Sequence, residues 1–127
     1  MAGEAFGGSQ TLPGAAELAS QVGTWLHQRT PGNPVLVATL GQHVDAGEAE
    51  AIALAAEHDL LLLIDDLAGR RAARRVGVAV LGSAGVLGLA KRRGSLPAVR
   101  PALDDLIAAG LRLSTGLYRS ILQAAGE

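Results

Sequence analysis

Residues 45–66, DAGEAEAIALAAEHDLLLLIDD, carry the reading that decides the fold. The first half has the pattern of a helix that opens with carboxylates. The second half holds Leu60-Leu61-Leu62-Leu63-Ile64, a short continuous apolar run of the kind expected for a parallel strand covered on both faces. That run stops at Asp65 and Asp66. In open parallel sheets, ligands bind beyond the carboxyl ends of strands. Carboxylates gathered at such an edge would hold a divalent cation, and a basic neighbourhood would suit phosphodiester chemistry.

Working outward, the chain alternates between strand and helix patterns. Residues 14–28 read as a helix with Leu18, Val22, Trp25 and Leu26 on one side. Thr30-Pro31-Gly32-Asn33-Pro34 is a loop, and Val35 to Leu40 reads as a strand. After Asp66 a helix is predicted from about Leu67 to Val76, and a strand over Val78 to Leu81. A helix then runs from Ser83 to Gly94, with Lys91, Arg92 and Arg93 in its last turn, where the dipole favours cations. Leu103 to Ala109 is helical, and Ser114 reads as the N-cap of a last helix reaching Ala125. This alternation predicts one α/β domain over residues 1–127, a sandwich with a mostly parallel sheet. Residues 1–13 are Gly-rich, weakly patterned and expected to be flexible.

Several carboxylates admit two readings. Glu48 and Glu50 lie two apart on a helix, so only one shares a face with Ile52 and Ala55; the spacing selects Glu48. A carboxylate on a buried stripe needs a partner, and a metal ion is one. Equally, Asp45-Ala46-Gly47-Glu48 fits a capping box, with Asp45 at the N-cap. Asp65 and Asp66 face opposite ways if the strand pattern continues, so one would face a crevice and the other would cap the next helix. Glu48 with one of these aspartates would offer hard oxygen ligands to Mg²⁺ or Mn²⁺.

Arg70, Arg71, Arg74 and Arg75 form two i,i+4 pairs with no intervening acid. They read either as a phosphate-binding strip or as a solvated face. Gly82-Ser83-Ala84-Gly85-Val86-Leu87-Gly88 follows a strand and opens a helix, as a phosphate cradle would, but its spacing is GxxGxxG and it lacks a Walker lysine. His27, His43 and His58 have no metal-ligand spacing.

Composition narrows the classes. The chain has 127 residues, 49% hydrophobic and 18% charged, which suits a globular core. With no cysteine, disulfides, thiolate metal sites and cysteine nucleophiles are excluded. Phe6, Trp25 and Tyr118 are the only aromatics, too few for a base-stacking platform. No apolar run approaches a membrane span, and the cytoplasm is the expected compartment. Charge is divided: residues 1–66 hold one base and nine acids, residues 67–127 ten bases and three acids. A basic surface bordering an acidic site would bind phosphate-rich partners.

DAGEAEAIALA, LLLLIDDLAGRRAARRVGVAVLGSAGVLGLAKRRG and LRLSTGLYRSIL together closely resemble a subgroup of the PIN-domain (PilT N-terminus, VapC-like) proteins. AFGGSQTLPGAAELA is similar to an earlier segment of that family. The resemblance implies a three-layer α/β/α fold and a Mg²⁺- or Mn²⁺-dependent toxin-type ribonuclease, with RNA as substrate and an antitoxin protein as partner. It implies metal-binding, catalytic roles for Glu48 and for Asp66 or Asp65. It also places Ser83 at the family's small hydroxyl position and Arg70, Arg71, Arg74 and Arg75 on its Arg-bearing helix, both toward nucleic acid. Family members begin with a central strand ending in an aspartate, followed by a first helix. This chain is expected to start after both, since no aspartate precedes Asp45. A missing central strand would expose backbone groups and apolar faces on its neighbours. Truncation, replacement by Val35–Leu40 or by a strand from another protomer, and loss of activity are all open; a homo-oligomer or an inactive interaction module follows from the last two.

Overall fold

The computed structural model describes residues 14–127. The expectation of flexibility for residues 1–13 lies outside them, as does the whole of the segment AFGGSQTLP. Among the described residues there are seven helices and one two-stranded sheet: α1 (Ala15–Gln21), α2 (Pro34–Leu40), α3 (Ala46–His58), β1 (Leu62–Leu63), α4 (Leu67–Arg75), β2 (Val80–Leu81), α5 (Ser83–Arg92), α6 (Arg100–Ala108) and α7 (Thr115–Ala124). No helix among them is long and apolar enough to cross a membrane.

The chain divides into two compact units, Met1–Leu62 with Asp66–Val80, and Leu63–Asp65 with Leu81–Glu127. Each holds one rung of the β1–β2 ladder. Leu62 N–H donates to Ala79 O at 2.9 Å in the first, and Ile64 N–H to Leu81 O at 3.0 Å in the second. Both partners advance two residues in the same sense, so the strands are parallel.

In the first unit α3 packs against α2 and α4. It buries Ala49, Ile52, Ala53 and Ala55, while α4 buries Gly69, Ala72 and Ala73. These small side chains permit close helix approach. In the second unit α5 packs against α6 and α7 around Val99, Leu103 and Leu122. Ala84, Leu87, Leu111, Leu113 and Ile121 complete this core.

Three sequence expectations are corrected. Val35 to Leu40 is a helix, not a strand. Asn33 caps it by accepting a hydrogen bond from Leu36 N–H at 3.1 Å, and Pro34 occupies the first turn, where its fixed φ and missing N–H are tolerated. A replacement strand is therefore not found there. The helix expected over 14–28 ends at Gln21. Thr24 Oγ1 donates to Gln21 O at 2.6 Å, Gly23 adopts a φ of 91°, and Trp25, expected on the apolar side, is 67% exposed. The run from Leu60 to Ile64 is not covered on both faces: Leu62 is buried, but Leu61 and Leu63 are 61% and 60% exposed. Among the described residues only two strands pair, and a central-strand pattern needs layers on both sides to be buried.

Smaller shifts follow from capping. α6 starts at Arg100 rather than Leu103, with Pro101 in its first turn. Asp45, Asp66 and Ser114 each serve as the N-caps their positions predict, accepting from Glu48, Gly69 and Leu117 N–H respectively.

Candidate functional site

In the first unit, the site is built from two helix starts. Asp45 opens α3 and accepts from Glu48 N–H at 2.8 Å. Asp66 opens α4 and accepts from Gly69 N–H at 2.8 Å through Oδ2. Packing of α3 on α4 brings these starts within electrostatic range of each other. Glu48 is half-buried. Burial pushes its carboxyl above the usual value of 4.5, and the negative charges of Asp45 and then Asp66 push it in the same direction. The backbone N–H of Asp45 offsets part of this, as the returning half of a capping box would.

The cap uses the Glu48 N–H and also draws on its carboxylate through the Asp45 N–H, while that carboxylate sits in an acidic neighbourhood that a cation would suit. Among the described residues, no Lys or Arg forms an ion pair with Asp45, Glu48 or Asp66. Among the same residues, no three Asp, Glu, His or Cys side chains converge as a ready metal cage. Two carboxylates nevertheless suit Mg²⁺, which keeps several waters and is commonly held by one or two carboxylates plus substrate phosphates.

Asp65 has a different environment, in the second unit. Its Oδ1 accepts from Ser83 N–H at 2.8 Å and its Oδ2 from Ser83 Oγ–H at 2.5 Å. Gly82, the N-cap of α5, has no side chain to offer, so Asp65 caps the helix from eighteen residues away. The glycine-rich turn is therefore not an open phosphate cradle at Ser83; a carboxylate of the chain already occupies the first N–H. A Cβ at Gly85 would meet the Leu81 side chain, which would have to shift to admit it.

Arg71, Arg74 and Arg75 are exposed, and Arg70 is half-buried with its Nε buried and without a hydrogen-bond partner. None of the four makes an ion pair with a described residue. Glu50 is half-buried and Glu57 accepts from Gly32 N–H at 2.9 Å, so not every acid of α3 faces the candidate site.

Sequence reasoning missed a second polar cluster. Glu127 accepts from Val99 N–H at 2.7 Å, Arg100 N–H at 3.1 Å and Lys91 Nζ at 2.9 Å. Those donors hold its carboxyl down at about 2, the Val99 N–H contributing most. Tyr118 Oη donates to Asp104 at 2.7 Å. No spacing rule links residues this far apart; the only local signal was the absence of a capping side chain at Val99.

A family model described as a PIN domain matches residues 2–127. No curated protein and no solved structure matches the chain. The match spans nearly the whole sequence, and the chain belongs to the PIN-domain family. Its α/β content is that of the PIN-like α/β/α class, a nuclease-type fold that commonly binds nucleic acid and is generally dependent on divalent metal.

Proposed function

We propose that this chain is a cytoplasmic, Mg²⁺- or Mn²⁺-dependent ribonuclease of toxin–antitoxin type, with Glu48 and Asp66 as its metal-holding carboxylates. One observation carries the reading: Glu48 is half-buried beside Asp45 and Asp66, with no basic side chain among the described residues paired to any of them. A divalent cation relieves that repulsion. Asp65 is the weaker choice of ligand, because both of its oxygens already accept from Ser83.

When bound, the ion would lower the pKa of a water and steady charge on the phosphate. The chain's own work is positioning. Asp66 is fixed by its bond to Gly69 N–H, and Glu48 by its place in the first turn of α3. Arg70, Arg71, Arg74 and Arg75, on the helix that Asp66 opens, would hold RNA phosphates.

The test is RNA cleavage by the purified chain with Mg²⁺ or Mn²⁺, beside Glu48→Gln and Asp66→Asn. Asparagine keeps the cap, so loss of cleavage would not be a folding artefact. Cleavage that disappears in EDTA and in both variants supports the reading; cleavage equal in all three would sink it.

The exposed Leu60 and Leu61 favour a second reading, an inactive PIN-like module that self-associates or docks an antitoxin-like partner through these side chains. Sedimentation decides its self-association arm: a clean monomer at micromolar concentration counts against it.

A further inference from the structure

The second unit contains an open cleft of about 830 Å³ that the metal reading does not use. Its lining includes Arg100, Thr115, Tyr118, Arg119, Gln123 and Glu127. We propose that this cleft binds one phosphate-bearing nucleotide unit, with Arg100 and Arg119 on the phosphate and the Tyr118 ring beside the base. The inference rests on the reading above only for the choice of RNA as the strand that would carry the nucleotide.

The charges favour an anion. Neither Arg100 nor Arg119 has a carboxylate partner among the described residues. The one lining acid, Glu127, is already committed to Val99 N–H, Arg100 N–H and Lys91. Asp104 lies one turn along from Arg100, yet it takes its hydrogen bond from Tyr118 Oη. Two guanidinium groups therefore line one cleft without an ion-pair partner among the described residues, and guanidinium forks match phosphate oxygens.

The cleft is also built rather than incidental. The backbone of Arg100 is tied to Glu127, and its Nη1 reaches Tyr118 Oη at 3.5 Å. Tyr118 packs on the Val99–Leu103–Leu122 core, and it and Arg119 both line the cleft from α7. A held aromatic in a cleft that two arginines also line suits stacking of a single base. Thr115 and Gln123, on the same helix, add hydrogen-bonding groups of both senses. An acidic peptide would satisfy the arginines but would leave the ring without a role.

The experiment measures binding of a labelled oligouridylate to the full chain in EDTA, by fluorescence anisotropy, with AMP as competitor. Arg100→Gln and Arg119→Gln are each expected to weaken binding about tenfold, the scale of one charged hydrogen-bonded contact. Each should also lower the salt slope by about 0.7, the loss of one contact on a single strand. Arg112→Gln, an exposed arginine outside the cleft, is the control. Competition by AMP would show that a free nucleotide suffices; its failure would show that a strand is needed. Either result supports the site.

Losses no larger than that of Arg112→Gln would overturn the proposal, as would absence of binding to both probes. Tighter binding of polyglutamate than of oligouridylate, lost in both variants, would overturn it by making the cleft a peptide site. If Arg100→Gln unfolds, Arg119→Gln carries the test, since the Arg119 side chain makes no bond with a described residue. Failed cleavage with Arg119-dependent binding would sink the nuclease reading alone. Cleavage with binding indifferent to Arg119 would sink the cleft alone.

Discussion

Asp65 gives both of its carboxylate oxygens to one residue, Ser83: one accepts the backbone N–H at 2.8 Å and the other the hydroxyl at 2.5 Å. The pair joins the end of the apolar strand segment to the start of α5. It does the work of an N-cap where Gly82 has no side chain to supply one. Asp65→Ala is expected to lower stability by about 1–2 kcal/mol, the usual worth of such a cap. Ser83→Ala, which keeps the N–H, should cost less. Chemical denaturation of the two variants measures the difference, and equal losses would mean that the hydroxyl bond dominates.

Glu48 should show a trade between stability and activity. Its folded pKa is raised, so the folded state holds the proton more tightly than the unfolded chain does. The stability it contributes is present below pH 4.5 and is lost as pH rises through the folded value. At neutral pH without metal, Glu48→Gln should therefore melt slightly higher than wild type, by less than about 1 kcal/mol after screening. Added Mg²⁺ should raise the melting temperature of wild type and leave the variant unchanged.

Glu127 works in the opposite sense. Its pKa is held at about 2, below the ordinary 4.5, by the Val99 N–H and then Lys91. The tie is intact above pH 4.5 and weakens as pH falls from there toward 2. Glu127→Gln should flatten acid destabilisation across that window, read as melting temperature against pH.

Tyr118 should titrate above 10, because its hydroxyl donates to Asp104 and ionisation would set two negative charges together. Asp104→Asn should bring the phenol back toward 10. The chain has a single tyrosine, so ultraviolet titration reads it directly.

Local chemistry was legible in the sequence and remote chemistry was not. Asp45, Asp66 and Ser114 were identifiable as caps because the bond closes within three residues. Val35 to Leu40 misled because five apolar residues and a threonine without a clear period fit a strand or a buried helix. The arbiter, Asn33 followed by Pro34, was present as a cap and a first-turn proline. Glu48 kept both of its readings, since it takes part in the capping box while its carboxylate stays beside Asp45 and Asp66. Glu127 reaches Val99 across twenty-eight residues, and Asp65 reaches Ser83 across eighteen. Nothing in local periodicity encodes such contacts. The exposure of Leu61 and Leu63 likewise depends on how many layers assemble, which a leucine run does not state.

The composition of α4 bears on the order in which the first unit assembles. Four of its nine residues are arginines, with like charges one turn apart, and one is a glycine; these offset part of the helix propensity that its Ala, Leu and Arg residues supply. α3 is longer, rich in alanine and firmly capped. α3 is thus the natural nucleus, and α4 condenses on it once Gly69, Ala72 and Ala73 find a surface to cover. Substitutions in α3 should slow refolding, whereas those in α4 should chiefly speed unfolding.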